Sequence, residues 1–141
     1  MRVSAELLSQ AEQRTNPLND RELVLREWGI PAIENLGAAT SRDQFDSIDL
    51  SNNRITRLEN FPRLRRLSHL YCGGNLIEGV DARNVGRNLP NLTSLTLSHN
   101  NISSLAEVAN IGAACPKLEF LSLAGNPVAR KFFFVASATP G

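Results

Sequence analysis

The chain has 141 residues, with 15 Lys+Arg against 14 Asp+Glu and a formal net charge of +1. That length allows one domain around one continuous core, and the charge balance excludes a bulk polyanion binder, so nucleic-acid contact requires a local basic patch. No run of about 18 apolar residues offers a membrane-spanning helix, and Cys72 and Cys115 are too few for a disulfide scaffold or a four-ligand zinc site, so a reducing, intracellular setting is expected.

Residues 1–18 are predicted to form an N-terminal capping helix. Ser4 stands at its N-cap, Leu7, Leu8 and Ala11 lie on one side, and it ends before Pro17. Glu6 interrupts any long apolar run, so the segment is not a secretory signal.

Residues 19–128 repeat one pattern. "FDSIDLSNNRI" carries Phe45, Ile48, Leu50, Asn53 and Ile55; "LSHLYCGGNLI" carries Leu67, Leu70, Cys72, Asn75 and Ile77. "LTSLTLSHNNI" carries Leu92, Leu95, Leu97, Asn100 and Ile102, and "LEFLSLAGNPV" carries Leu118, Leu121, Leu123, Asn126 and Val128. A degenerate first copy, "DRELVLREWGI", keeps Leu23, Leu25 and Ile30 but has Asp20 in the first apolar slot and Trp28 in the Asn slot. From Trp28 to Asn126 the steps are 25, 22, 25 and 26 residues. This is the leucine-rich repeat, L-x-x-L-x-L-x-x-N/C-x-L with a period of roughly 20–29 residues. The predicted fold is an α/β solenoid of about five repeats, with a concave parallel β-sheet and an irregular convex side. In each copy the x-L-x-L-x stretch is a strand with its leucines inward, and the Asn amide satisfies backbone groups that the following turn leaves unpaired.

On the convex side, "DARNVGRNLPN" and "LAEVANIGAACPK" are predicted as short helices, the second with Leu105, Val108, Ile111 and Ala114 at helical spacing. "LENFPRLRR" is shorter and reads as a turn or 3₁₀ segment, in keeping with the 22-residue step. Residues 129–141, "ARKFFFVASATPG", form a tail without an evident cap. Either the product is truncated there, or the apolar tail docks on the last repeat.

No phosphate loop, HExxH, GxSxG or CxxC is present, so neither an enzyme nor a cofactor is expected. His69 and His99 fall at outward strand positions without a third ligand, so no metal is expected. Cys72 fills a core leucine slot. The concave face is predicted to carry Arg21, Glu22, Val24 and Arg26, then Asp46, Ser47 and Asp49, then Ser68, His69 and Tyr71. Thr93, Ser94 and Thr96 follow, then Glu119, Phe120 and Ser122. A trough floored by small residues, with Tyr71 and Phe120 as aromatic anchors, can admit a partner's helix. The cluster Arg63, Arg65 and Arg66, with Arg54 and Arg57 nearby, is either a solvated face or a phosphate contact.

"SAELLSQAEQRTNPLNDRELVLR", "IPAIENLGA", "DQFDSIDLSNN" and "FPRLRRL" together resemble the A-prime family of the U2 small nuclear ribonucleoprotein over roughly residues 3–131. The loop "GAATSRDQFD" is slightly longer than that family's, and the family continues past "NPV" with a Tyr-containing capping segment and a basic region that are missing here. The resemblance implies a nuclear pre-mRNA splicing scaffold whose concave face holds a helix of the RNA-recognition-motif protein B-double-prime. The pair would then bind a U2 snRNA stem-loop, with the partner's sheet reading the bases. Carried onto this chain, partner binding falls on Asp46, Asp49, Tyr71, Thr96 and Phe120. Phosphate contact falls on Arg21, Arg26, Arg63, Arg65 and Arg66. Another intracellular leucine-rich adaptor, of the phosphatase-regulatory or dynein-associated type, would share the solenoid but not "IENLGA" and "DQFD".

Overall fold

The structure is a computed structural model and describes residues 4–38, 40 and 43–130. Helix α1 (Ala5–Leu8) is one turn long, its Leu7 N–H donating to Ser4 Oγ at 3.1 Å. The capping helix expected to reach Pro17 therefore stops at Leu8. Its place is taken by strand β1 (Glu12–Thr15), which pairs antiparallel with β2 (Arg21–Val24). The tight turn between them is closed by Asn16, whose Oδ1 accepts from Leu18 N and Asp20 N at 3.0 Å each. The N-terminal edge of the solenoid is thus covered by a strand as well as a helix.

From β2 onward the predicted repeat forms. After a 3₁₀ turn at Leu36–Ala38 come β3 (Ser47–Asp49), β4 (Arg57–Leu58), β5 (His69–Tyr71) and β6 (Gly79–Val80). Helix α2 (Ala82–Asn88), β7 (Ser94–Thr96), α3 (Leu105–Ala114) and β8 (Phe120–Ser122) complete the chain order. Among the described residues the concave sheet has the order β1-β2-β3-β5-β7-β8, parallel from β2 on, while β4 and β6 pair on the convex side. Helices α2 and α3 are N-capped by Asp81 and Ser104, whose side chains accept from Asn84 N and Ala106 N. The 59–66 segment, expected as a turn or 3₁₀ piece, forms neither a helix nor a 3₁₀ turn. It follows β4 as irregular backbone, held where Asn84 accepts from Phe61 N at 2.9 Å.

The repeat leucines are the core. Leu23, Ile48, Leu70 and Leu95 stack in register, each at most 1% exposed, as do Leu25, Leu50, Cys72 and Leu97. Their counterparts in the last repeat, Leu121 and Leu123, are only partly buried, as is Leu118. In α3, Ile111 and Ala114 are buried but Leu105 is 49% exposed, so the expected apolar stripe is only half covered. Burial pushes the Cys72 thiol well above its ordinary value and the Cys115 thiol to about 11, leaving both as inert core groups.

The asparagines form a ladder between repeats. Asn100 Nδ2 donates to Leu97 O in its own repeat and to Cys72 O in the one before, both at 3.0 Å. Its Oδ1 accepts from Ile77 N at 3.0 Å. Asn75 and Asn126 bridge backward in the same way. Asn53 reaches into the degenerate first copy, accepting from Trp28 N and Ile30 N at 3.0 Å each and donating to Leu25 O at 2.9 Å. Each Asn thus serves its own repeat and the one before it, and Asn53 carries the bonds of the first copy's turn. Trp28 can therefore stand in that slot without leaving backbone groups unpaired.

Candidate functional site

Strand register fixes what the concave face presents. One row across the sheet runs Arg14, Glu22, Ser47, His69, Ser94, Phe120; the next runs Glu12, Val24, Asp49, Tyr71, Thr96, Ser122. The N-terminal part of these rows is closed off by β1. Glu22, expected to face outward, is 3% exposed: its carboxylate accepts from Arg14 Nε at 2.9 Å, Ser47 Oγ at 2.8 Å and Asn16 Nδ2 at 3.4 Å. Ser47 is fully buried and Asp49 is 6% exposed, its Oδ1 accepting from Ser51 N at 2.9 Å and its Oδ2 lying 3.8 Å from Arg26. A polar, charge-paired floor replaces the open face expected there.

Toward the middle the face opens into a groove of about 620 Å³. Tyr71, Thr96, Gly73 and Ser98 lie along it, Asp49 and Arg26 bound one side, and Pro17 and Leu18 of the β1–β2 turn form a wall. Tyr71 is half-buried, its ring 6.3 Å from that of His69 and tilted by 23°. Burial, with the nearby carboxylates of Glu22, Asp20 and Asp49, pushes its phenol above the ordinary value, so it stays a neutral donor and an apolar surface. His69 Nδ1 lies 2.9 Å from Ser68 Oγ, a hydrogen bond that holds the ring beside Tyr71, and 3.4 Å from Asp20 Oδ2. Phe120, on β8, is 56% exposed and Leu18 is 64% exposed.

Of the five residues expected to bind a partner, the structure brings Asp49, Tyr71 and Thr96 together in the groove. Phe120 stands apart on the last strand. Asp46 lies on the edge where the strands begin and is occupied within the chain: Oδ2 accepts from Arg21 N at 2.9 Å and Oδ1 from Arg66 Nε at 2.7 Å. The Arg66 hydrogen bond, supported by the Arg21 N–H, holds the Asp46 carboxyl below the usual carboxylate range. Leu18 was missed by sequence reasoning, which counted it in the N-terminal capping segment and gave it no role. Its only signal was an apolar residue after Pro17 in an otherwise polar stretch.

The five arginines expected at phosphate divide similarly. Arg66 is tied to Asp46, Arg21 donates to Gln13 Oε1 at 3.0 Å, and Arg26 leans on Asp49. Arg63 and Arg65 are exposed. Asp43 accepts from the backbone N–H groups of Arg65 and Arg66, at 2.9 and 3.3 Å, and so fixes that corner. Asn91 joins the next repeats to it, donating to Arg65 O at 2.7 Å and accepting from Lys117 Nζ at 2.7 Å. Lys117 thus extends the basic edge, a link that linear sequence hides because the residues are 52 positions apart. Among the described residues no cluster of three or more His, Cys, Asp or Glu could hold a metal ion.

Comparison with known proteins places this geometry. A leucine-rich-repeat family model matches residues 1–136. The U2 small nuclear ribonucleoprotein A′ of Schizosaccharomyces pombe is 45% identical over 134 residues, covering 95% of this chain and 54% of that protein. The Homo sapiens protein of the same name is 44% identical over 135 residues, 93% of this chain and 50% of that one. This chain therefore spans about half the length of the curated relatives it matches. The crystal structure of a Drosophila melanogaster SNF/U2A′ complex matches with a TM-score of 0.86 at 41% identity, covering 92% of this chain and 72% of that one.

Proposed function

The chain belongs to the leucine-rich-repeat family, in its U2 small nuclear ribonucleoprotein A′ branch, and on that premise we propose that it is a nuclear, non-enzymatic splicing scaffold. Its concave groove holds a helix of an RNA-recognition-motif protein of the B-double-prime type, and the pair binds a U2 snRNA stem-loop. The observation that carries this reading is the groove of about 620 Å³, in which Tyr71, Thr96 and Ser98 lie beside the paired charges Arg14–Glu22 and Arg26–Asp49. A neutral aromatic between small residues is what an amphipathic helix needs as an anchor site.

Tyr71 and Thr96 make the central contact, with exposed Leu18 and Phe120 as apolar flanks. Asp46 and Asp49 shape the face through their internal bonds rather than reaching the partner first. Recognition of the bases belongs to the partner, since among the described residues no row of stacking aromatics crosses the sheet. Arg63, Arg65 and Lys117 supply phosphate contact along the edge, in a salt-dependent way. Arg21, Arg26 and Arg66 contribute less, each being engaged within the chain.

Immobilising the chain in nuclear extract and sequencing the RNA retained tests this reading. Enrichment of U2 snRNA together with an RNA-recognition-motif protein is expected. Retention of a phosphatase or dynein complex without U2 snRNA would overturn it in favour of another adaptor role.

A further inference from the structure

At the Leu18 end of the concave groove the charges are stacked in one order. Arg14 and Arg26 lie outward, their side chains 46% and 49% exposed, while Glu22 and Asp49 beneath them are 3% and 9% exposed. Glu22 is engaged within the chain by Arg14 Nε, Ser47 Oγ and Asn16 Nδ2, and Asp49 by Ser51 N. The guanidinium groups keep donors to spare. Among the described residues Arg14 gives only its Nε, and Arg26 Nη1 stays 3.8 Å from Asp49 Oδ2, too far for a hydrogen bond. A partner entering the groove therefore meets cationic donors and not the carboxylates behind them. We propose that Arg14 and Arg26 hold a carboxylate of the partner's helix, an Asp or Glu at the end of the apolar stripe that packs on Tyr71. This rests on the reading of the groove as a helix site.

Charge and shape both favour this occupant. Arginine presents its donors in a planar fork that matches a carboxylate. Pro17 and Leu18, the latter 64% exposed, wall the same end of the groove and keep water from the pair, which strengthens it. RNA phosphate is the other anion that two arginines could take, and strand direction argues against it. Arg26, Ser51, Gly73 and Ser98 follow β2, β3, β5 and β7, so the groove opens at the C-terminal ends of the parallel strands. Arg65 and Lys117 precede β5 and β8 and so belong to the opposite edge. A helix presenting Lys or Arg at the Leu18 end would meet like charge, so the two arginines also select among partners.

The probe is the RNA-recognition-motif protein retained from nuclear extract, titrated without RNA into the full 141-residue chain and its variants at low and high salt. Arg14→Gln/Arg26→Gln should bind it several-fold more weakly at low salt and approach the parent at high salt. Arg14→Lys/Arg26→Lys, which keeps the charge, should recover most of the loss. Neutralising the acidic residues of the partner's helix one at a time should find one whose effect is not additive with the arginine pair. Arg26→Gln alone guards against misfolding, since among the described residues this side chain makes no hydrogen bond, and it should show the same salt-dependent loss in smaller measure. Parental affinity of the glutamine variants while Tyr71→Ala binds weakly would overturn the carboxylate contact and leave the helix site standing; parental affinity of all three would overturn both. A loss equal at both salt concentrations would also overturn it, as would a loss confined to stem-loop binding, which would assign the pair to phosphate.

Discussion

Each repeat asparagine works at the scale of a single amide. Asn100 makes three bonds at 3.0 Å, to Cys72 O, Leu97 O and Ile77 N, that span two repeats in a buried place. Asn100→Ala leaves those groups unpaired and should lower stability by about 1–3 kcal/mol, read as a shift in urea midpoint without a change in slope. An unchanged midpoint would mean that water replaces the amide. These residues were legible in sequence because the turn's backbone demand is local and recurs. Glu22 was not, because its partners Arg14, Asn16 and Ser47 come from an unpredicted strand, from the turn after it and from a neighbouring repeat. Asp46 offers a second test. Its native pKa lies below the unfolded value of about 3.9, so its pairing stabilises the fold above that pH and the contribution is lost as pH falls through the native pKa. Arg66→Ala should move the Asp46 titration upward, followed by carboxyl carbon chemical shift. A titration that stays in place would show that the Arg21 N–H alone depresses it.

The elements are joined by turns with a shared conformation. Glu27, Asn52, Gly74, His99 and Gly125, the residues just before the Trp or Asn slot, all have positive φ, between 57° and 77°. Where the residue is Gly, the preceding repeat's side chain fills the space: a Cβ on Gly74 would run into Asn52, and one on Gly125 into His99. Gly74→Ala should therefore cost more than the roughly 1–2 kcal/mol of left-handed backbone alone. Asn52→Gly/Gly74→Ala should recover the excess, a non-additivity that thermal melting of the pair and both single variants measures. Additive losses would show that Asn52 is not the obstacle. The five parallel strands of the repeats were legible because their leucine spacing is strict, whereas β1 was hidden. Its residues Glu12–Thr15 are exposed at every position, so no alternation marks them as a strand, and only pairing with β2 makes them one.

Across the whole molecule, the closed N-terminal end and the half-open last repeat leave the concave middle as the built surface. The trough was legible in outline, since strand alternation alone puts Tyr71 and Thr96 outward. Its limits were not, because β1 seals Glu22 and the Asp46–Arg66 pair occupies the edge. Division of labour follows from this layout. Charge reversal at Arg65 should spare binding of the partner protein and weaken only the complex that includes the stem-loop, least visibly at high salt. Fluorescence titration of labelled stem-loop at two salt concentrations checks this, and a loss of partner binding would place Arg65 in the protein interface instead. The claim that Tyr71 anchors the partner's helix is tested most directly by calorimetric titration of the RNA-recognition-motif protein into the parent chain and into Tyr71→Ala, with melting temperatures taken alongside. The expected result is a loss of about 2 kcal/mol or more of binding free energy at a hot spot, with little change in melting temperature because Tyr71 is only half-buried. Binding at parental affinity by Tyr71→Ala would contradict it and move the interface off the concave groove.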